Sequence, residues 1–313
     1  MQARFISALA AVSAPLVSSM ALKPHSDADP SVWARLPGVQ SRSSNLGPDM
    51  SPNPDKRQTG WSPPSELATP LKEVWDHCLA TYSSGLFGFT NYGWDQLRAT
   101  DGCVVIGVAP RVEKTAADYI PRQKRQCLCA VATAIARQYD KWFQWIYGYD
   151  NFPYSSIKVD IVGWAVTDTS LLQGSTDGID VYTDTDSEGA PQCAPECGRF
   201  FHQDGDYSSC PGGAESHYDQ SLWLTEGFEG GAGGDWGQRI AREYFMELLS
   251  QDSIHILLHE IGHTYGLDDF YDWTPTGITN FIMLAGSATE VTDFDGWMLR
   301  NWWYELSRNR GWQ

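Results

Sequence analysis

The feature that most constrains this chain is the segment HILLHEIGHTYGLDD at residues 255–269, where an apolar run carries histidines and acidic side chains. Apolar residues at helical spacing predict an α-helix with a buried face. We expect this helix to run from about residue 251 to residue 265, with Ser250 as its N-cap. His259 and His263 are four residues apart, so both imidazoles project from the same side of the helix. A helix of this composition must be packed into a folded domain.

Two imidazoles on one helix face can bind one metal ion, and imidazole and carboxylate are typical zinc ligands. Glu260 follows the first of these histidines, where it reaches a metal-bound water without being a ligand. Gly266 stands where the helix would end in a left-handed turn, which brings the next aspartates back toward the imidazoles. Asp268, Asp269 and Asp272 are then candidate third ligands. The alternative is a partly buried helix with hydrogen-bonded histidines, and the sequence favours the zinc site.

The spacing H-E-x-x-H-x-x-G-x-x-D resembles the extended zinc motif of the metzincin metalloproteases, in the minority form whose third ligand is aspartate, as in snapalysin-type small neutral proteases. Metzincins also have a methionine-bearing turn beneath the zinc, and NFIMLAGSA, which contains Met283, is similar to it in position. By position, the resemblance implies three ligands for Zn²⁺ and one catalytic residue. The ligands are His259, His263 and Asp269, and the general base is Glu260.

The resemblance also implies a fold and an activity. The expected fold is α+β of the zincin or metzincin type, a twisted mixed sheet with a long backing helix and an active-site helix. The expected activity is that of a zinc metalloendopeptidase, in which Glu260 takes a proton from a zinc-activated water and passes it to the leaving amine. Met283 would support the site without binding metal. Many metzincins add a tyrosine that stabilises the oxyanion, and neither Tyr265 nor Tyr271 is assigned this role.

His255 lies one further helical turn back, on the same face as the paired imidazoles. As a ligand it would lie too far along the helix to share a tetrahedral site. We therefore expect His255 to be a core residue, or one that supports the ligands from behind.

Upstream of this motif, the sequence predicts one domain of mixed helices and strands. Residues 120–147 carry apolar residues at helical spacing, with Pro121 placed for a first turn, and predict a long amphipathic helix. SSIKVDIVGWAVTD, residues 155–168, predicts a strand, and IDVYT a second short one. The glycine-dense residues 222–240 match no phosphate-loop pattern and favour tight turns or a bulged edge strand beside a cleft. Residues 239–249 fit helix and strand equally.

The N-terminal part of the chain predicts export. Residues 1–21 combine a basic residue, an apolar run and a small-x-small cleavage site, the pattern of a secretory signal peptide. Residues 22–57 are rich in Pro, Ser, Asp and Asn and end in a dibasic pair, which predicts a propeptide removed after Arg57, with a flexible linker as the alternative. Residues 58–313 are then a single metzincin-like catalytic domain of a secreted, extracellular zymogen.

Seven cysteines in an exported chain predict disulfides, with one thiol left over. Cys193, Cys197 and Cys210 lie in a turn-rich segment and predict a stapled loop. The C-x3-C spacing of the first two, with His202 and His217 downstream, also allows a second zinc site. The exported context favours disulfides, whose pairing the sequence does not fix.

A formal net charge of −17 argues against nucleic acid and anionic membranes as partners, since both would be repelled. The expected partner is a protein or peptide substrate of a monomeric enzyme. The stretches GYDNFPYSSIKVDIVGWAV and GGAGGDWGQRI resemble secreted fungal proteins labelled cellulose-binding-like. That resemblance implies an alternative function, the binding of cell-wall polysaccharide by a protein whose zinc site is structural or vestigial. Fourteen tryptophans would be available for sugar stacking.

Overall fold

The structure is a computed structural model that describes residues 60–78, 93–98, 102–111, 126–172 and 176–312. The predicted signal peptide and propeptide lie outside the described residues, and so does Pro121. The described part of the chain has a mixed α and β architecture built on one sheet.

Six strands form this sheet in the order β3-β2-β1-β4-β6-β5. The strands are β1 (Cys103–Arg111), β2 (Lys158–Ala165), β3 (Asp180–Tyr182), β4 (Gln220–Thr225), β5 (Gly231–Gly234) and β6 (Gly237–Ala241). All neighbouring pairs are parallel except β5 and β6, which pair antiparallel at one edge. The two predicted upstream strands are confirmed as β2 and β3, and the glycine-dense stretch supplies an edge strand, as predicted.

Within the described residues, six α-helices accompany the sheet. They are α1 (Ser65–His77), α2 (Asp95–Arg98), α3 (Gln126–Phe143), α4 (Arg242–Glu247), α5 (His255–Thr264) and α6 (Asp293–Asn309). The predicted long helix is present as α3, which ends at Phe143 rather than at residue 147 because the chain continues there in turns. Residues 239–249, which fit two patterns, contain the end of β6 and all of α4.

The two faces of the sheet are covered by different parts of the chain. Along β1, Val104 and Ile106 contribute to the main core, which is filled by helix side chains such as Trp142 and Trp302. The alternate residue Val105 belongs to a second buried cluster, together with cysteines and tyrosines of the segment before β4. Since alternate residues of a strand point to opposite faces, β1 is buried on both sides, and its sequence is a nearly continuous apolar run for that reason.

The predicted start of the motif helix is wrong. α5 begins at His255 and not at residue 251, and its N-cap position is Ile254 rather than Ser250. Gln138 of α3 accounts for the difference: its Oε1 accepts the Ile254 N–H at 2.9 Å, and its Nε2 donates to the Asp252 carbonyl at 3.2 Å. These bonds from another helix hold the preceding residues in a non-helical conformation, so a tertiary contact replaces the local cap.

Within the described residues, no helix is both long enough and apolar enough to cross a membrane.

Gly296 allows α6 to pack closely against the indole of Trp145. A Cβ atom at Gly296 would come within 2.0 Å of that buried ring. We therefore expect Gly296→Ala to lower the free energy of unfolding by about 1–3 kcal/mol through overpacking, although alanine favours helix by about 1 kcal/mol. Urea denaturation measures the change. Asn309→Ala, at an exposed position of the same helix, should stay within about 0.5 kcal/mol of wild type, and an equally stable Gly296→Ala variant would contradict the packing argument.

Candidate metal centre

α5 presents two buried imidazoles that face each other. His259 and His263 are 1% and 7% exposed, and their rings are nearly perpendicular, at 86°. Their Nε2 atoms lie 3.1 Å apart. The predicted placement of both side chains on one helix face is therefore confirmed.

The chain reverses directly after α5 through a glycine turn. Gly266 has φ 77°, the left-handed conformation that the sequence predicts there. Its N–H donates to the His263 carbonyl at 3.0 Å, and the Leu267 N–H donates to the Gly262 carbonyl at 3.2 Å. This pair of bonds is the Schellman arrangement of a helix C-terminus. The turn returns the next residues toward the imidazoles.

Asp269 is the aspartate that reaches the imidazoles. Its Oδ1 lies 3.0 Å from His259 Nε2 and 3.4 Å from His263 Nε2. Asp268 instead accepts the Asp269 backbone N–H, and Asp272 is exposed on the loop beyond. The geometry thus selects Asp269 among the three candidate aspartates.

The backbone fixes which nitrogen of each ring faces the centre. His259 Nδ1 lies 2.8 Å from the Ile282 carbonyl, and His263 Nδ1 lies 2.7 Å from the Leu267 carbonyl. A carbonyl oxygen only accepts, so each Nδ1 carries the hydrogen. In the neutral ring, Nε2 then offers a lone pair to the centre, which is the form that binds a metal.

The three converging atoms fit a zinc ion. Zinc bonds to nitrogen and oxygen of about 2.0–2.2 Å give a tetrahedron with edges of about 3.3 Å. The observed separations of 3.0, 3.1 and 3.4 Å match one face of such a tetrahedron. Two neutral imidazoles and a carboxylate in this arrangement are three acceptors without a donor, so a cation between them is the natural complement.

Glu260 lies beside this triangle without completing it. It is 2% exposed, and its Oε2 lies 3.8 Å from His263 Nε2. Glu260 and the two histidines also form a group whose ligand atoms all lie within 4.8 Å of one another. Asp269 is the better candidate for a third ligand position, because its oxygen lies 3.4 Å from His263 Nε2 against 3.8 Å for Glu260. Glu260 is then free to act on a molecule bound at the centre.

Strand β5 packs closely against Glu260. A Cβ atom at Gly231 would lie 2.3 Å from Glu260 Oε1, and one at Gly233 would lie 2.4 Å from the Glu260 carbonyl oxygen. Only glycine lets the strand approach the helix this closely. Burial raises the pKa of Glu260 to about 7, against the lowering effect of the two histidines.

The imidazole of His263 and the carboxylate of Asp269 shift each other's pKa values toward a protonated imidazole beside an ionised carboxylate. Burial alone would lower the pKa of His263, but the charge of Asp269 and its hydrogen bond raise that pKa to about 10. Burial likewise opposes ionisation of Asp269, and the charge of His263 and the imidazole hydrogen bonds outweigh it and lower the pKa of the carboxyl group well below its usual range. A metal would displace this proton on binding.

Met283 lies beneath α5, as the resemblance implied. It is fully buried, and its sulfur would lie 2.2 Å from a Cβ atom at Gly262, one residue before the second histidine. The absence of a side chain at Gly262 therefore makes room for Met283. Because Met283 follows Ile282, the same turn also supplies the carbonyl that orients His259.

Asp295 holds this turn in place, and the sequence analysis missed it. Its carboxylate is fully buried in the first turn of α6 and accepts the N–H groups of Ile282 at 2.8 Å and Met283 at 3.3 Å. It also accepts the N–H and hydroxyl of Thr292, in a capping box. Burial raises the pKa of Asp295 to about 6, partly offset by these bonds. The T-x-x-D pattern could have indicated the helix start, but not its contact with Ile282.

The remaining candidate residues lie outside the triangle. His255 bonds through Nδ1 to the Tyr244 hydroxyl at 2.7 Å, and burial lowers its pKa to about 4. This position agrees with a supporting role and not with a ligand role. Tyr265 is fully buried against Phe143, and Tyr271 is 40% exposed.

The segment with the C-x3-C spacing contains a disulfide. Cys197 and Cys210 are bonded to each other, with their Cα atoms 4.8 Å apart. This bond removes Cys197 as a ligand, so the second zinc site, the alternative for this segment, does not form from that spacing. Cys193 is buried in the second core cluster.

No protein-family model matches the chain, and no curated protein matches its sequence. The metzincin relationship therefore remains a resemblance carried by the motif and the methionine turn.

Asp269→Asn tests the identity of the third ligand. Loss of the carboxylate charge should weaken zinc binding by at least about 100-fold. The affinity is measured by titration with a competing zinc chelator. Asp268→Asn and Asp272→Asn are matched controls and should bind zinc like wild type. Stronger weakening in either control than in Asp269→Asn would contradict the assignment.

Asp295→Asn tests the support of His259. The amide cannot accept from all four donors, so the turn should loosen and zinc affinity should fall by about 10- to 100-fold. The same chelator competition measures this. Asp293→Asn, in the same helical turn, removes an equal charge without contact to Ile282 and should leave the affinity unchanged. An equal loss in both variants would point to helix-terminus electrostatics instead.

Proposed function

We propose that this chain is a secreted zinc-dependent endopeptidase of the metzincin type. One observation carries the proposal: two imidazole nitrogens and a carboxylate oxygen converge within 3.0–3.4 Å of one another, with a buried glutamate beside them. Structural zinc sites are usually closed by four protein ligands, whereas catalytic sites have three protein ligands and an open position. A glutamate next to an open position is the arrangement that hydrolysis requires.

Zn²⁺ at this centre would lower the pKa of a bound water toward about 7 and polarise the scissile carbonyl. His259, His263 and Asp269 would hold the ion. Glu260 would accept the proton of the attacking water and then donate it to the departing amine nitrogen. The Gly231 backbone of β5 lies close beside the Glu260 carboxylate.

The sheet edge supports a peptide as the substrate. Strand β5 pairs with β6 on one side and has no strand partner on the other within the described residues. It runs beside α5, against Glu260. An extended peptide can add to such an edge through backbone hydrogen bonds, which would lay a peptide bond near the general base.

The fold agrees with the proposal at a coarser level. A mixed, mostly parallel sheet, the long helix α3 and the motif helix α5 are the elements that the resemblance implies. Secretion, a signal peptide at residues 1–21, removal of a propeptide after Arg57 and a monomeric enzyme complete the proposal.

Polysaccharide binding is the second candidate, and the described tryptophans give it less support. Among the described residues, the exposed large hydrophobic side chains are Phe201 and Tyr271, and the tryptophans are buried or half-buried. The half-buried Trp223 lies against Trp236 with the rings tilted by 39°, and the guanidinium of Arg111 lies 4.1 Å from the Trp223 ring centre. Sugar stacking requires an open aromatic face.

Glu260→Gln separates catalysis from metal binding. Because the amide cannot accept the proton of the water, kcat for casein or a peptide library should fall by about 100- to 10,000-fold, with zinc retained at the wild-type stoichiometry. Glu229→Gln, at an exposed position near the start of β5, is the control and should keep full activity. Activity of the wild type should also disappear with a chelator.

One experimental outcome would overturn the endopeptidase proposal. A wild-type protein that has been cleaved after Arg57 and loaded with zinc, yet hydrolyses no protein or peptide and binds cellulose, would favour the second candidate.

A further inference from the structure

The turn between β5 and β6 is anchored by a buried carboxylate. Asp235, at this turn, is 5% exposed. Its Oδ1 lies 2.9 Å from Nη2 of Arg199 and accepts from Gln96 Nε2 at 3.2 Å, and its Oδ2 accepts from Gln203 Nε2 at 3.1 Å. The Asp235 backbone carbonyl accepts from Arg199 as well. Every acceptor of this residue is therefore used by a group from outside the hairpin.

Arg199 belongs to the disulfide-bonded segment. It is 3% exposed and follows Cys197, which is bonded to Cys210. The Arg199 N–H donates to the Tyr218 carbonyl at 2.8 Å, and the Tyr218 N–H donates to the Cys197 carbonyl at 2.9 Å. The backbone that carries the guanidinium is thus held by the disulfide bond of Cys197 on one side and by hydrogen bonds to Tyr218, just before β4, on the other.

The hairpin that Asp235 anchors lies against the proposed general base. Gly231 and Gly233 touch Glu260 with no space for a side chain, and the Gly234 carbonyl accepts from Thr264 Oγ1 at 3.3 Å at the end of α5. β5 itself is the four-residue stretch GAGG at the sheet edge. A strand rich in glycine has little conformational preference of its own, so contacts from outside must define its position.

We propose that Arg199 and Asp235 are positioning residues that hold the edge strand β5 at the correct distance from Glu260, and that the Cys197–Cys210 segment is the support for this pair. This inference rests on the proposed function, because it makes β5 the wall along which the substrate lies. A buried ion pair is weak evidence for stability, since desolvation offsets the attraction. Its specific value is geometric: a guanidinium that meets both the carboxylate and the carbonyl of one residue allows only one placement of the turn.

Hydrogen–deuterium exchange of the β5–β6 hairpin tests the proposal without any substrate. In Arg199→Met and in Asp235→Asn, amides of residues 231–241 should exchange at least about tenfold faster, because local opening becomes easier. Amides of α5 should remain within about twofold of wild type and so report an intact fold. Arg308→Met on α6, which removes a partly buried ion pair with Asp150, is the control and should leave the hairpin unchanged.

The combined variant Cys197→Ser with Cys210→Ser tests the support. This double variant should also accelerate amide exchange in the β5–β6 hairpin. If neither Arg199→Met nor Asp235→Asn folds, the double variant alone decides the proposal. Unchanged exchange in residues 231–241 of the folded variants overturns the proposal. An increase spread evenly over the whole domain overturns it too, because that result indicates only general destabilisation.

A kinetic measurement then connects position to function. In Arg199→Met and Asp235→Asn, KM for a peptide should rise about tenfold with kcat within about twofold of wild type, because substrate alignment is lost and the chemical groups are intact. Bound zinc should stay at the wild-type stoichiometry. If the wild type hydrolyses no peptide, the proposed function fails, while the exchange experiment still decides whether the pair positions β5. Equal losses of kcat and kcat/KM would place the pair in the chemical step and contradict a positioning role.

Discussion

The candidate metal centre brings three electron-rich atoms together in the protein interior. The site depends on the interactions that hold these atoms close despite their mutual repulsion. Two imidazole nitrogens and one carboxylate oxygen repel each other unless a cation lies among them. The protein turns both rings inward with backbone carbonyls, from Leu267 on one side and Ile282 on the other. Each carbonyl is itself fixed, the first by the glycine turn after α5 and the second by Asp295. The convergence is therefore imposed by backbone geometry and does not depend on the ligands alone.

The sequence predicted those parts of the site that lie close together along the chain. The helical repeat places His259 and His263 on one face, and the glycine that follows permits the left-handed turn that returns Asp269. All of these relations lie within fifteen residues of the chain, from 255 to 269. The choice of Asp269 over its neighbours came from the family spacing, and the geometry agrees with it.

The contacts between residues far apart in the sequence could not be predicted, because they depend on how separate elements pack against each other. Asp295 contacts Ile282 only once α6 lies beneath the methionine turn, and a helix-start pattern carries no information about that contact. The start of α5 was wrong for a related reason, since Gln138 from another helix replaced the predicted local cap. The edge strand was expected from its glycines. Its close packing against Glu260 was not expected, because a high glycine content does not indicate which element packs against the strand. Disulfide pairing was open in the sequence for the same reason.

The glycines of β5 also have a consequence for selectivity. Gly231 and Gly233 present no side chains toward α5, so under the proposed function this edge strand would contact a bound peptide mainly through main-chain atoms and would accept most sequences alike. Any discrimination between cleavage sites would then have to arise from other parts of the chain. The loop after Asp269 carries large side chains, including Tyr271 and Trp273. Under the proposed function, changes in this loop would alter the choice of bond, whereas larger side chains in the glycine strand would push the strand away from Glu260.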